Sequence, residues 1–286
     1  MSKLVLGTAQ FGFDYGIHNK LGKIPRKAAF EIMDFAAAQG VDMLDTAPVY
    51  GDSESVLGDY IGTRSSAFKV ISKLPAGVED GKALEESLKK LHLGSLYGYL
   101  VHDFDSFAKK PAIWTNLIRF KERGFIGKIG FSLYFPRDLE KLEKMDVLPD
   151  LAQVPYSLFD QRFADSFPTM KTKGIEIHVR SVFLQGLVFQ NGDELADRFL
   201  KIKPKLAAIK ELSRKSGVSI SGLCLNFALL NPHVDRAVIG VDSLDNLKEN
   251  LENIHKTAVI RTIYNELKDL REEDDNIILP FLWGKQ

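Results

Sequence analysis

Four side chains of complementary chemistry stand in the first half of the chain: Asp45, Tyr50, Lys73 and His102. A tyrosine hydroxyl is a weak acid, with an unperturbed pKa of about 10. A neighbouring ammonium favours the phenolate and lowers that value. A buried lysine in turn needs a counter-charge, because an unpaired buried cation is costly, and Asp45 is placed to supply it. An imidazole at His102 can orient or polarise a carbonyl. Such a set suits proton transfer to or from a carbonyl oxygen or an alcohol. Taken singly, each has a plainer reading. Asp45 could cap a helix, Lys73 could be a rim lysine, His102 and Asp103 could be a satisfied loop pair, and Tyr50 could be core or surface. Their common position raises the joint reading.

That position follows from the elements that carry them. Short apolar runs recur at Leu4–Leu6, Val41–Leu44, Phe68–Ile71, Tyr97–Val101, Ile126–Phe131, Leu151–Pro155, Ile175–Val179 and Asp235–Ile239. Helical patterns separate them: Pro25 to Ala38, stopped by Gly40; Asp52 or Ser53, as cap, to Gly62; Lys82–Leu91; Ile113–Lys121; a short helix after Pro136; and Phe163–Lys173. Further helices are expected over Lys205–Lys215, Ser221–Leu230, Leu244–Leu251 with Ser243 as cap, and Ala258–Leu270. Leu184–Leu200 is the longest irregular stretch. Strands alternating with helices predict a parallel sheet, and eight such units predict a closed (β/α)8 TIM barrel, read as one domain over residues 1–286. Asp45 to Lys73 is 28 residues, Lys73 to His102 is 29 and His102 to Ser132 is 30. Each interval is one βα unit, so all four polar strand ends land on the same rim, where the catalytic groups of such barrels lie.

Composition narrows the partners. Lys plus Arg and Asp plus Glu each number 38 in 286 residues, so no basic excess argues for nucleic acid or an anionic membrane surface. The single cysteine, Cys224, permits neither an internal disulfide nor a cysteine-based metal site. No apolar run approaches the roughly 18 residues of a membrane span, and Met1–Gly7 is too short in apolar residues for a signal peptide. A soluble protein of the cytoplasm is expected. No H-x-H or H-E-x-x-H motif is present, so no metal is expected. No two glycines stand at G-x-G spacing, so both the Rossmann turn and the Walker loop are missing.

The stretch Asp45-Thr-Ala-Pro-Val-Tyr50-Gly51-Asp52-Ser53-Glu54-Ser55-Val56-Leu57-Gly58 closely resembles the D-T-A-x-x-Y-G-x-S-E-x-x-L-G signature of the aldo-keto reductase family. The resemblance runs from Leu6-Gly7-Thr8 to Glu249-Asn250. It implies that Asp45, Tyr50, Lys73 and His102 are the family's catalytic tetrad, with Tyr50 as general acid–base. It implies a nicotinamide cofactor, NADP(H) or NAD(H), across the C-terminal barrel face. Hydride would pass between that cofactor and the carbon of a small carbonyl or alcohol substrate. By position, Ser132 and Gln153 would hold the carboxamide, and Thr8 falls within the same cofactor site. Ser181 to Leu187, with Phe183, Gln185 and Gly186, resembles the loop that wraps the pyrophosphate. Glu249 and Asn250 match the residues that meet the adenine.

Three departures from the family pattern stand out. Leu133 follows Ser132 where Asn is usual. Arg180 replaces the aromatic that stacks on the nicotinamide; a guanidinium is planar and can stack, or it binds an anionic substrate group. The 2′-phosphate loop reads Gly240-Val241-Asp242-Ser243. An aspartate repels a phosphate and suits a ribose 2′-hydroxyl, so NAD(H) is expected to be used at least comparably with NADP(H), unless Lys248 or Arg236 compensates. Phe11, Phe13, Tyr15, Phe104 and Phe107 are candidates to flank the pocket, with the Phe281–Trp283 tail as a candidate lid, and about half of these aromatics are expected to pack loops instead. A polar aldehyde, ketone or sugar derivative is the expected substrate. Two other readings remain: a cofactor-bound regulatory subunit with little turnover, and a barrel enzyme using Lys73 as a Schiff-base nucleophile. The sequence specifies no oligomeric state.

Overall fold

The apolar runs become eight strands in a computed structural model that describes residues 2–64, 68–78 and 81–284. They are β1 (Leu4–Gly7), β2 (Met43–Asp45), β3 (Lys69–Leu74), β4 (Leu96–Val101), β5 (Ile126–Ser132), β6 (Leu151–Pro155), β7 (Glu176–Arg180) and β8 (Arg236–Ile239). Each pairs in parallel with its sequence neighbours, and β1 pairs with β8 to close the barrel. Parallel strands covered on both faces read as continuous apolar runs, which is why these runs were legible.

Alternation along the strands places the site. Val5, Met43, Ile71, Leu100, Leu151 and Val238 form a separate apolar cluster. Side chains two residues apart share a face. The next positions up that face are therefore Gly7, Asp45, Lys73, His102, Gln153 and Gly240. An apolar plug thus floors a layer of small and polar residues at the C-terminal mouth. A larger apolar cluster lies between the barrel wall and the helices, and Cys224 is buried in it on the helix Ile220–Leu230.

The remaining helices follow the expected spans with local differences. Residues 7–16 are not wholly loop, since Ala9–Gly12 forms one helical turn. The expected helix Phe163–Lys173 starts as a 3-10 turn, Ala164–Ser166, and becomes α-helical at Phe167, where Pro168 fits the first turn. The expected Ala258–Leu270 helix is two, Thr257–Thr262 and Tyr264–Lys268, parted at Ile263. Ser243 caps its helix by accepting from the Asn246 N–H at 3.2 Å. Asp52 occupies a cap position but makes no capping bond; its carboxylate pairs with Lys23 at 2.5 Å. Ser53 instead donates its hydroxyl hydrogen to the Thr8 carbonyl at 2.9 Å. Among the described residues no helix is long and apolar enough to cross a membrane.

Candidate active site

Lys73 and Asp45 are buried at the mouth, with side chains 0 % and 4 % exposed. Lys73 Nζ donates to Asp45 Oδ1 at 2.7 Å and to the Thr46 carbonyl at 2.8 Å. Gln153 Nε2 donates to the other carboxylate oxygen at 2.7 Å. Thr8 hydrogen-bonds the Asp45 carbonyl at 2.9 Å. Charge pairing and complete hydrogen bonding are what make such burial tolerable.

Tyr50 lies above this pair. The Lys73 ammonium sits 5.0 Å from the centre of its ring, and the His102 ring stands perpendicular to it at 6.1 Å. The Tyr50 loop is seated on the Ala9–Gly12 turn by direct backbone approach. A Cβ on Gly12 would lie 1.6 Å from the Tyr50 carbonyl oxygen. Gly51, at φ 57°, faces back onto Gly12 in the same way.

The electrostatics depart from the expectation in one respect. Burial first, and then the Asp45 charge, push the Tyr50 phenol above its ordinary value. The Arg180 guanidinium opposes them. Burial lowers Lys73, against the pull of Asp45. Burial, together with the charges of Lys73 and Arg180, depresses His102 to about 4, so its imidazole is neutral at pH 7. Tyr15 is pushed up to about 12, mainly by burial.

A cleft of about 570 Å³ opens over this group. Asp45, Tyr50 and His102 line its inner end, while Lys73 lies behind them, out of the cleft. Its walls carry Thr8, Ser132, Gln153, Arg180, Ser181, Phe183, Gln185, Gly186 and Gly240, and its far end, on and just before the helix Leu244–Asn253, carries Asp242, Glu249 and Asn250. The fold therefore brings together on one cleft every residue assigned to the cofactor. Gln153 has a prior engagement, since its amide nitrogen holds Asp45. Glu249 accepts from the Ser221 hydroxyl at 2.8 Å.

The cleft has features that fit a dinucleotide. It extends from Tyr50 to polar residues of a separate helix, Leu244–Asn253. Between them the wall is backbone in unusual conformations: Ser181, Leu184, Gln185 and Gly186 have φ of 59°, 45°, 52° and 86°. Such strain clusters where a ligand is gripped. The same wall is tied across the cleft. Gln185 Nε2 donates to the Tyr15 hydroxyl at 3.1 Å, and the Ile17 N–H donates to the Gln185 carbonyl at 3.0 Å. No group of three or more His, Cys, Asp or Glu suited to a metal occurs among the described residues.

Other expectations are revised. Arg236 cannot serve a 2′-phosphate, because it begins β8 at the opposite end of the barrel and pairs with Asp42 at 2.8 Å. Lys248 pairs with Asp245 at 3.1 Å and does not line the cleft. Of the aromatics, Tyr15 lines the cleft and Phe13 packs beside Tyr15 and Tyr50. Phe11, Phe104 and Phe107 are core. Leu133 is also core, and its carbonyl accepts from Arg180 at 3.2 Å. Tyr134, Gln10, Ser219, Ser221 and Asn246 line the cleft without having been singled out from sequence. For Tyr134 a signal existed: it lies two residues beyond Ser132, so an extended chain leaving β5 returns to the same side.

Known proteins agree with this architecture. The chain is 26 % identical to L-galactose dehydrogenase of Arabidopsis thaliana, over 84 % of this chain and 83 % of that one. It is 25 % identical to protein tas of Escherichia coli, covering 89 % and 90 %. An aldo-keto reductase of Bacillus halodurans, solved in its holo form, superposes with a TM-score of 0.74 at 20 % identity, over 94 % and 92 % of the chains. The glycerol dehydrogenase of Gluconobacter oxydans superposes with a TM-score of 0.71 at 20 % identity, over 94 % and 93 %. At that identity the likeness is one of fold. The sequence profile of the Aldo/keto reductase family matches residues 3–269, almost the whole barrel, and the chain belongs to that family.

Proposed function

We propose that this protein is an NAD(P)(H)-dependent oxidoreductase that interconverts a carbonyl and its alcohol, with Tyr50 as general acid–base. The observation that carries the reading is the Tyr50 ring at the inner end of the cleft, between the Lys73 ammonium at 5.0 Å and the His102 ring at 6.1 Å. A bound nicotinamide supplies or accepts the hydride. The chain's own residues handle the proton. Tyr50, held protonated by burial, donates its phenolic hydrogen to the carbonyl oxygen as charge grows there, and recovers it in the reverse direction. Lys73 and Arg180 stabilise the phenolate left behind. Asp45 and the Thr46 carbonyl fix the ammonium under the ring. Neutral His102 can offer an N–H to the same oxygen. Lys73 is fully buried and outside the cleft wall, a poor place for a Schiff-base nucleophile.

The far end of the cleft favours NAD(H) at least as much as NADP(H). Asp242 and Glu249 are there, and no described Lys or Arg lines the cleft other than Arg180 at the Tyr50 end. The relative named for L-galactose is consistent with a small, polar carbonyl or alcohol compound as substrate.

The test is reduction of an aldehyde and ketone panel with NADH and with NADPH, comparing the parent protein with Tyr50→Phe. Loss of general acid catalysis is expected to slow turnover by about 10²- to 10⁴-fold, with coenzyme binding retained. Equal slow rates in both proteins would overturn the catalytic reading in favour of a cofactor-binding subunit. A large preference for NADPH in fluorescence titration would remove the NAD(H) assignment.

A further inference from the structure

Arg180 is a cation without an anion. Among the described residues it forms no ion pair. Its guanidinium donates only to neutral oxygens, the Leu133 carbonyl at 3.2 Å and the Ser181 hydroxyl at 3.2 Å. A guanidinium has five N–H donors, so part of its fork is uncommitted. It is also partly buried in the cleft wall, where an unmatched charge is costly.

The side chain is held in place. Its planar group lies 4.2 Å from the centre of the Tyr134 ring, and Tyr134 is packed edge-on against Phe281 at 4.9 Å. One face is therefore covered by an aromatic shelf, while the N–H donors beyond those to Leu133 and Ser181 remain to meet a ligand. It stands at the end of β7, in the same cleft as Tyr50 and His102. Its field reaches Tyr15, Tyr50, Lys73 and His102 alike. A fixed, partly desolvated guanidinium beside the proton donor is suited to a bidentate carboxylate.

We infer that Arg180 is a specificity-determining residue that binds a carboxylate adjacent to the reacting carbonyl, so that the substrates are 2-oxo acids, or 2-hydroxy acids in the oxidising direction. The inference rests on the assignment of Tyr50 above. The carboxylate on Arg180 and the carbonyl oxygen at Tyr50 and His102 would fix the substrate at two adjacent points. A second possible source of the anion is the dinucleotide's pyrophosphate. The position of Arg180 at the Tyr50 end, before the curved Ser181–Gly186 wall, favours the substrate.

The experiment uses pyruvate, its uncharged methyl ester, and oxamate, an unreactive isostere of pyruvate. Arg180→Met is expected to lower the ratio of kcat/KM for pyruvate over methyl pyruvate by about 10- to 100-fold, the range of one charge-assisted pair. Calorimetric titration of oxamate into the coenzyme-saturated protein should show its affinity falling by the same factor. The coenzyme's own Kd should stay within about threefold, since no pyrophosphate contact is lost. Arg180→Lys keeps the charge but not the fork, and should restore part of the ratio; it also serves if the Met variant fails to fold. An unchanged ratio with unchanged oxamate affinity overturns the inference. So does a weakened coenzyme Kd with equal losses for both substrates, which would give the guanidinium to the pyrophosphate. Turnover of methyl pyruvate but not pyruvate by the parent protein would sink this inference alone. Turnover of no carbonyl at all would sink the assignment of Tyr50, while oxamate binding would still decide the role of Arg180.

Discussion

The buried pair under Tyr50 allows a quantitative test that separates stability from chemistry. Lys73→Met removes the donor to Asp45 Oδ1 and to the Thr46 carbonyl, and leaves a carboxylate held only by Gln153. Asp45→Asn leaves an ammonium with no counter-charge in a site that is 0 % exposed. Removing one member of a buried pair costs about 3–5 kcal/mol, because the survivor is an uncompensated charge. Removing both leaves an amide and a thioether, with no buried charge. The double variant should therefore be more stable than the sum of the single losses implies, by about 2–4 kcal/mol of coupling. Urea unfolding followed by circular dichroism measures all four proteins. Turnover should be lost in every variant, so the double variant would be folded and inactive. Single losses below about 1 kcal/mol that add within about 0.5 kcal/mol would refute the account, since the two groups would then not be sharing a desolvated bond.

Two further outcomes follow from geometry and charge. Gly12→Ala places a Cβ 1.6 Å from the Tyr50 carbonyl oxygen; it should cost about 2 kcal/mol or more in unfolding free energy and lower turnover while leaving the barrel's circular dichroism intact, and wild-type stability would contradict the packing described. His102 is depressed to about 4 in the folded protein by burial and by the Lys73 and Arg180 charges. The unfolded chain takes up that proton near pH 6.5, so stability is full above about pH 6.5 and declines as the pH falls towards 4, by up to roughly 3 kcal/mol. Unfolding measured against pH should lose that part of the slope in His102→Asn, and parallel slopes would show that His102 titrates normally.

The barrel was legible because its physics is local. A strand buried on both faces must be apolar along its length, and a crossover helix must fill the space between two such strands, so runs and periods survive in the linear text. The common rim of Asp45, Lys73, His102 and Ser132 was legible for the same reason, as one repeat unit separates each from the next. Boundaries that depend on neighbours were less so. The break at Ile263 and the 3-10 start before Phe167 are settled by packing and by one proline, not by periodicity.

What only the tertiary structure decided is which charges meet. Gln153 reaches Asp45 across 108 positions of sequence, and Arg180, from a strand far along the chain, adds its charge to that of Lys73 near Tyr50. Arg236 and Lys248 looked available for a phosphate until the fold placed one at the opposite mouth and the other outside the cleft. Tyr134 became a shelf for Arg180 only once β5 and β7 were set into one closed ring. Strand and helix patterns are properties of neighbours along the chain. Electrostatic effects depend on distance and burial, and those exist only after the ring has closed.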